Sequence, residues 1–411
     1  MLRKAVSLMK KVLFVTYGSG HVRMVVPVAK ALATSGLAQP SVLALTTAAP
    51  VVREAGLELL QFKNFLRDGD RADEAAVAHG QRLMRAMPGP IADPEETAAY
   101  LGLSYQELVL KLGPEEAERQ YQLEGRQAFL PVAALQRIVK KIAPSLVVAT
   151  NSPRAERAAI MAARSLGLPS ICLVDLFCLD EVKWIGAPDY ADKVCVLNES
   201  VKHFLLPAGR TDHQVVVTGN PAFDDLANPI HVSSGVRLRQ DRNWGGKHVL
   251  LWPTQVEPAL HPFNGTPGDV GLPERALRQV MDFVLTRNDC VLCIRPRAGL
   301  APLVLPDDPR IVVIGQDVGL PALLQAVDLV VTLNSTVGLE GHLAGTRLVQ
   351  ILGSVFDNAM PLKRYGIADE AVALNDLAAA LDRCIHLARN PSNHLQKDAT
   401  GNVLEVIRGF L

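Results

Sequence analysis

Little in this chain points to a large charged or stacking partner. Only 5% of its 411 residues are aromatic, too few for surfaces that stack single-stranded bases. Lys plus Arg number 42, balanced by 42 Asp plus Glu. With no basic excess to neutralise phosphates, nucleic acid is not an expected partner. No apolar run approaches the roughly 20 residues of a membrane-spanning helix. Met1 to Lys10 ends in lysine and no cleavage-site pattern follows, so it is a poor signal peptide and the chain reads as cytoplasmic. Six cysteines fit a reducing compartment. Cys290 and Cys293 form a C-x-x-C pair, but it lies inside the apolar run Cys290–Ile294 and no second pair follows. That pattern suits core thiols better than metal or redox chemistry. Clustered histidines and a convincing aspartate-x-aspartate motif are lacking too, so no metal is expected.

What the chain has is apolar bulk. Apolar residues make up 49% of it, and its length exceeds one ordinary core, so two domains are expected. Short apolar runs, the mark of parallel strands buried on both faces, recur at 12–16, 41–46, 58–62, 146–150, 170–174, 193–197 and 214–218. Helical patterns fall between them at 25–34, 50–55, 154–166 and 199–205. A second rhythm starts at His248, with strands at 248–252, 290–295, 310–314, 329–332, 347–351 and 371–374 and helices at 274–286, 319–327, 337–343 and 377–387. This alternation predicts an α/β fold of two doubly wound parallel sheets. The expected domains are 1–220 and 246–411, joined by a polar linker at 221–245. A charged, helix-prone stretch at about 64–141, punctuated by Pro88-Gly89-Pro90 and Asp93-Pro94, reads as a helical insertion in the first domain, either shaping specificity or only solvated. The last stretch, Asn402 to Leu411, reads as a helix that could pack on either domain.

Each half contains a strand that runs into small polar residues and then a helix. Near the start, Lys11–Tyr17 leads into Gly18-Ser19-Gly20-His21. Near the end, Asp328–Thr332 leads into Leu333-Asn334-Ser335-Thr336. Unpaired helix N–H groups and the helix dipole make such places favourable for anions. Ser335 or Thr336 can cap the second helix, and Glu340 falls one turn on, on the same face as Thr336. A diphosphate near Ser335 and a ribose held by Glu340 would fit; so would an ordinary capped helix. Other loops at strand ends add candidates: Thr254 and Gln255, Arg295, and the segment Gly315–Leu320 with Gln316 and Val318.

The order and spacing of Gly18-Ser-Gly-His21, Gly219-Asn-Pro221, Asn334-Ser-Thr-x-Gly-Leu-Glu340, and Asn358-Ala-Met-Pro-Leu362 with Gly366-Ile367-Ala368 resemble glycosyltransferases of the GT-B fold. The likeness is nearest to the N-acetylglucosaminyltransferase of peptidoglycan lipid synthesis and to capsule and surface-polysaccharide transferases. It touches both halves apart from the helical insertion. It implies two facing Rossmann-like domains, a nucleotide-diphosphate sugar (a UDP-sugar first) on the second, and a hydroxyl acceptor on the first. By that resemblance Glu340 would hold ribose hydroxyls, Ser335 and Thr336 the diphosphate, and Asn358 would lie near the donor sugar. Gly18, Ser19 and Gly20 would border the acceptor, and no tightly bound cofactor is implied. One departure stands out. Where the family grips the sugar with an acidic or amide residue followed by Gln, this chain has Ser354 and Val355, with Asp357 as a neighbouring substitute.

His21 is the candidate base, placed where a helix dipole disfavours its charged form. The loop Asp175-Leu-Phe-Cys-Leu-Asp180-Glu181 offers rival carboxylates at another strand end, of which Asp175 stands first, either as a rival base or as the group that orients His21. His342, about 200° around the helix from Glu340, reads as structural. The resulting expectation is a metal-independent, inverting transfer of a sugar from a nucleotide diphosphate to a hydroxyl. Two alternatives stay open. One is a nicotinamide-independent sugar-nucleotide 2-epimerase, which would suit Val217–Pro221 but expects a histidine–arginine pair where this chain has Trp252-Pro-Thr-Gln255. The other is a nucleotide-sugar-binding protein without catalysis. Leu2, Val6 and Met9 with Arg3, Lys4, Lys10 and Lys11 would allow peripheral contact with the inner face of a membrane if the acceptor is lipid-linked, but the stretch is short and a frayed terminus accounts for it better.

Overall fold

The computed structural model describes residues 9–18, 20–45, 47–87, 91–261, 264–297, 303–390 and 398–411. Ser19, Pro88–Pro90 and most of the basic start lie outside these residues. The chain divides into two compact units, Met1–Ala222 with Asp398–Leu411, and Phe223–Lys397.

The first unit runs β1 (Lys11–Thr16), α1 (Gly20–Ser35), β2 (Gln39–Ala44), α2 (Ala48–Glu54), β3 (Glu58–Leu60), α3 (Arg71–Met84), α4 (Pro94–Leu112), α5 (Pro114–Glu124), α6 (Val132–Ile142), β4 (Leu146–Thr150), α7 (Ala155–Ser165), β5 (Ser170–Leu173), α8 (Val182–Ile185), β6 (Lys193–Val196), α9 (Glu199–Leu205) and β7 (Val215–Val217). Its strands lie in the order β3-β2-β1-β4-β5-β6-β7, and each neighbouring pair is parallel. Strand β4 is buried along its whole length, and β1 everywhere but Lys11. This is why both read as unbroken apolar runs rather than as alternation. The β1–β4 boundary, where the chain order reverses direction, is the switch point at which open sheets of this kind bind ligands.

The second unit runs α10 (Ile230–Asp241), β8 (His248–Pro253), α11 (Leu272–Leu285), β9 (Cys290–Arg295), β10 (Ile311–Val313), α12 (Leu320–Ala326), β11 (Leu329–Thr332), α13 (Thr336–Leu343), β12 (Arg347–Ile351), β13 (Glu370–Val372) and α14 (Leu377–Ile385). The sheet order is β10-β9-β8-β11-β12-β13, again parallel, with its switch point between β8 and β11. Trp252, Leu292, Val331, Val349 and Leu381 form the centre of its core. The two parallel sheets predicted from sequence are thus both present. All six cysteines are buried and free, including Cys290 and Cys293 on β9.

Two segments fall elsewhere than the sequence suggested. Within the expected linker 221–245, residues 230–241 form α10, which belongs to the second unit. It shows no apolar stripe, since Ile230, Val232 and Val236 are exposed. Its contact rests instead on buried Gly235 and on Arg239, whose guanidinium donates to the Asp328 carboxylate at 3.0 Å, to Ala326 O at 2.9 Å and to Lys247 O at 2.6 Å. At the other end, 398–411 does not join the second unit. Its helix α15 (Ala399–Arg408) packs Val403 and Ile407 into the first unit's core beside Val12, Val28 and Leu32.

The insertion is a packed helical subdomain. Asp70 and Asp93 cap α3 and α4 with side-chain oxygens that accept from Ala72 N, Asp73 N and Glu96 N. The two helices approach closely at two glycines. A Cβ on Gly80 would fall 1.9 Å from Ala98 O, and one on Gly102 would fall 1.9 Å from Ala76 O. Glu96 fixes the pair to the chain entering it, accepting from Phe62 N at 3.0 Å and Lys63 N at 2.9 Å, and burial pushes its carboxyl up to about 7. Asp73 is held down to about 2 by hydrogen bonds from Arg67 and Arg137 that outweigh its burial. Gly102→Ala drives a methyl into backbone with no flexible neighbour to yield. It should destabilise the first unit by about 1–3 kcal/mol, read as a lower denaturation midpoint; an unchanged midpoint would show that α3 and α4 part without cost.

Candidate functional site

In the first unit, the ends of β1, β4 and β5 converge on one edge. His21 sits in the opening turn of α1, Asn151 follows β4, and Asp175 lies just beyond β5. Asn151 organises the centre. Its Nδ2 donates to Asp175 Oδ1 at 3.0 Å and reaches Glu181 Oε1 at 3.5 Å, while its Oδ1 accepts from Asp175 N at 3.2 Å. Leu176 N also donates to Asp175 Oδ1, at 2.8 Å. The other carboxylate oxygen, Oδ2, is left facing His21 Nε2 at 3.9 Å. The Gly219-Asn220-Pro221 motif serves this loop: Asn220 Nδ2 donates to Asp175 O at 2.8 Å, and Asn220 Oδ1 accepts from Ala222 N at 2.9 Å.

The glycines before His21 divide the work. A Cβ on Gly18 would sit 1.9 Å from Thr47 Oγ1, whereas one on Gly20 meets nothing within 4 Å. Gly18 lets two loops close on each other, and Gly20 leaves open space beside His21. Ser19, named with them from the sequence, lies outside the described residues.

Glu156 escaped the sequence reading, and Glu181 stood there only as one of several rival carboxylates in its loop. Burial, and then the nearby Asp175 charge, pushes the Glu181 carboxyl up to about 7. Glu156, in the first turn of α7, is 1% exposed. Burial raises its pKa, opposed by the charge of His21, and its Oε1 is buried without a hydrogen-bond partner. A lone Glu in a loop or helix start carries no motif; only its burial sets it apart. For Glu181 the sign follows from linkage. Its folded pKa is near 7 and its unfolded value about 4.3. Between those values the folded state binds more protons, so this group's contribution makes stability fall as pH rises and then level off above about 7. Glu181→Gln removes that penalty. The variant should gain on the order of 1–3 kcal/mol over the parent at pH 8 and nothing at pH 4, measured as paired denaturant melts. An equal difference at both pH values would contradict the assignment.

In the second unit the corresponding edge joins the ends of β8, β9, β11 and β12. Gln255 dominates it. Its Oε1 accepts from Thr332 Oγ1 at 2.9 Å, Leu333 N at 3.2 Å, Asn334 N at 2.9 Å and Ser335 N at 3.1 Å. Its Nε2 is buried without a partner. Ser335 caps α13, its hydroxyl accepting from Val337 N. Thr336 opens that helix and is exposed. Glu340 is 4% exposed, one turn on. The glycines of this helix serve packing: a Cβ on Gly338 would meet Thr332 Cγ2 at 2.9 Å and one on Gly341 would meet Val330 Cγ2 at 2.8 Å, so both let α13 lie on β11. His342 is buried.

The loop candidates bond mainly to one another. Arg295 donates to Gly315 O at 3.2 Å, Val318 O at 2.8 Å and Gln316 Oε1 at 2.9 Å. Gln316 Nε2 returns a bond to Pro296 O, and Thr254 Oγ1 accepts from Arg297 N at 2.7 Å. Burial lowers the Arg295 pKa, against the pull of Glu340 and Asp317. Arg295 therefore shapes the 315–318 loop. Glu257, 3% exposed and unforeseen from sequence, accepts from Ser354 Oγ and Val355 N, each at 2.7 Å. Asn334 Nδ2 donates to Ser354 Oγ at 2.6 Å. Asp357 Oδ2 accepts from Gly353 N at 2.7 Å, and burial raises its pKa. Asn358 is exposed.

No family model matches this sequence, and no curated protein matches it. Solved structures do resemble it. The Staphylococcus aureus MnaA–UDP structure aligns with TM-score 0.61 at 13% identity, covering 98% of this chain and 97% of that one. The UDP-GlcNAc 2-epimerase of Neisseria meningitidis bound to UDP-GlcNAc aligns with TM-score 0.59 at 11% identity, covering 97% and 99%. A glycosyltransferase of kitacinnamycin aligns with TM-score 0.53 at 13% identity, covering 98% and 96%. At such identity the likeness carries the fold. This is a GT-B-type chain of two Rossmann-like units. Among the described residues no group of three or more His, Cys, Asp or Glu could hold a metal ion, and no helix is long and apolar enough to cross a membrane.

Proposed function

We propose that this protein is an enzyme of nucleoside-diphosphate sugars, with a UDP-sugar as substrate, and that the first unit handles protons at the sugar. The observation that carries this reading is the grouping of His21, Asp175 and Glu181 around Asn151 at the switch point. It sets an imidazole against an oriented carboxylate and adds a carboxyl that titrates near neutrality. The second unit takes the nucleotide at the edge of β8, β11 and β12.

The first reading is epimerisation at C2 of the sugar. No carbonyl activates that C–H bond, so a base removes the proton as the C1–O bond to the diphosphate breaks. A second group then returns a proton to the opposite face as the bond to the diphosphate re-forms. This needs two proton-handling groups, which the cluster supplies. Its support also includes the UDP-GlcNAc 2-epimerases among the structural neighbours. The second reading is sugar transfer to a hydroxyl of a glycan, lipid-linked or small-molecule acceptor, in the manner of peptidoglycan and surface-polysaccharide transferases. Trp252-Pro253-Thr254-Gln255 favours it, since the histidine–arginine pair expected of an epimerase is lacking there. In that reading His21 takes the acceptor proton while Asp175 steadies the imidazolium.

Proton NMR of UDP-GlcNAc with the protein in D2O tests both. Epimerisation predicts deuterium at C2 and a new C2 epimer without any acceptor. Transfer predicts an unlabelled sugar and UDP release only when an acceptor is added. No reaction and no binding of UDP-GlcNAc would remove the proposal. In either reading His21→Ala should lower kcat by about 10²–10⁴, whereas unchanged turnover would take His21 out of the chemistry.

A further inference from the structure

The segment after β8 fills the groups that the second unit would offer to a diphosphate. Gln255 and Glu257 point inward, while Val256 between them is 50% exposed, an alternation expected of extended chain. Gln255 Oε1 occupies the N–H groups of Leu333, Asn334 and Ser335 and the Thr332 hydroxyl. Glu257 occupies the Ser354 hydroxyl and the Val355 N–H. Both oxygens are acceptors, as phosphate oxygens are, so neither can coexist with a phosphate at the same donors. Glu257 also adds a buried negative charge.

We propose that Gln255 and Glu257 are a built-in occupant of the second unit's phosphate site, which a nucleotide diphosphate must displace in order to bind. The displaced piece has structure of its own. Beyond Glu257 the chain folds back through His261 N to Thr266 O at 2.8 Å, Gly268 N to Ala259 O at 2.8 Å, and an antiparallel bridge between Leu260 and Pro267. Behind Gln255, Thr254 stays tied to β9 through its N to Arg295 O at 2.9 Å. Gln255 and Glu257 therefore lift from a root fixed at Thr254. Its exposed apolar residues, Val256, Leu260 and Val270, ride on the outside.

This rests on the reading of a nucleotide-diphosphate substrate, and UDP titration of the full chain separates the two. If the occupied form outweighs the open one about tenfold, removing the occupant tightens UDP binding about tenfold. Gln255→Ala and Glu257→Gln should each lower the Kd for UDP, Glu257→Gln by relieving charge repulsion while keeping an acceptor. Equal or weaker binding by folded variants, with the parent binding UDP, overturns this inference alone. Absence of UDP binding in the parent and in both variants overturns it together with the nucleotide reading. Hydrogen exchange on the parent needs no substitution. Saturating UDP should speed exchange in residues 256–261 and 264–270 and leave Thr254 unchanged; slower exchange there would mean that the loop closes over the ligand instead.

Discussion

Parallel strands in one sheet all end at the same edge, and the polar groups left there must find partners. Each helix that follows a strand starts with N–H groups its own hydrogen bonds cannot use. In this protein that single demand organises both units. The first unit meets it with a relay of side chains, in which Asn220 fixes the Asp175 loop, Asn151 fixes the Asp175 carboxylate, and one oxygen is left toward His21. The second unit meets it with one amide oxygen that takes four donors. The first arrangement leaves an imidazole facing a carboxylate oxygen; the second leaves almost nothing unspent.

The amino-terminal edges solve the same problem by other means. There, carboxylates just before strands accept from an N–H in the first two residues of a neighbouring strand: Asp192 from Ser170, Asp328 from Val249 and Asp369 from Leu348. Arginines close several of these contacts, as Arg239 does on Asp328 and Arg347 on Asp369. These charges are spent on holding strands in place. At one edge of each sheet acidic residues tie strands together and at the other they orient loops and side chains, so acidic residues of similar appearance in the sequence do different jobs.

That difference marks the limit of what the sequence discloses. Buried strands announce themselves, and 146–150, 290–295, 329–332 and 347–351 are strands over the residues their apolar runs suggest. Short edge strands are blurred, because β3 and β13 are only partly buried and their apolar signal is weak. Helix α10 was hidden for a related reason: an ion pair and a glycine hold it, and neither produces periodicity. At the sites, residues that follow strands could be located from sequence, as His21, Asp175, Gln255 and Ser335 were. What they bond to could not. Arg295, Gln316, Val318 and Thr254 were candidate ligand contacts, yet they bond to one another and to neighbouring loop backbone. Glu156 and Glu257 had no pattern at all, and Glu181 was one strand-end carboxylate among several, since a carboxylate becomes informative only when its surroundings bury it.

Helix α15 gives the chain a nested order. The first unit opens before the second begins and is completed by residues that follow it. During synthesis the contiguous stretch Phe223–Lys397 has all its parts before the first unit has its own. Until then Val12, Val28 and Leu32 lack the two side chains, Val403 and Ile407, that join their core. The half that carries His21 and Asp175 is therefore the half whose residues are completed last, even though it is begun first.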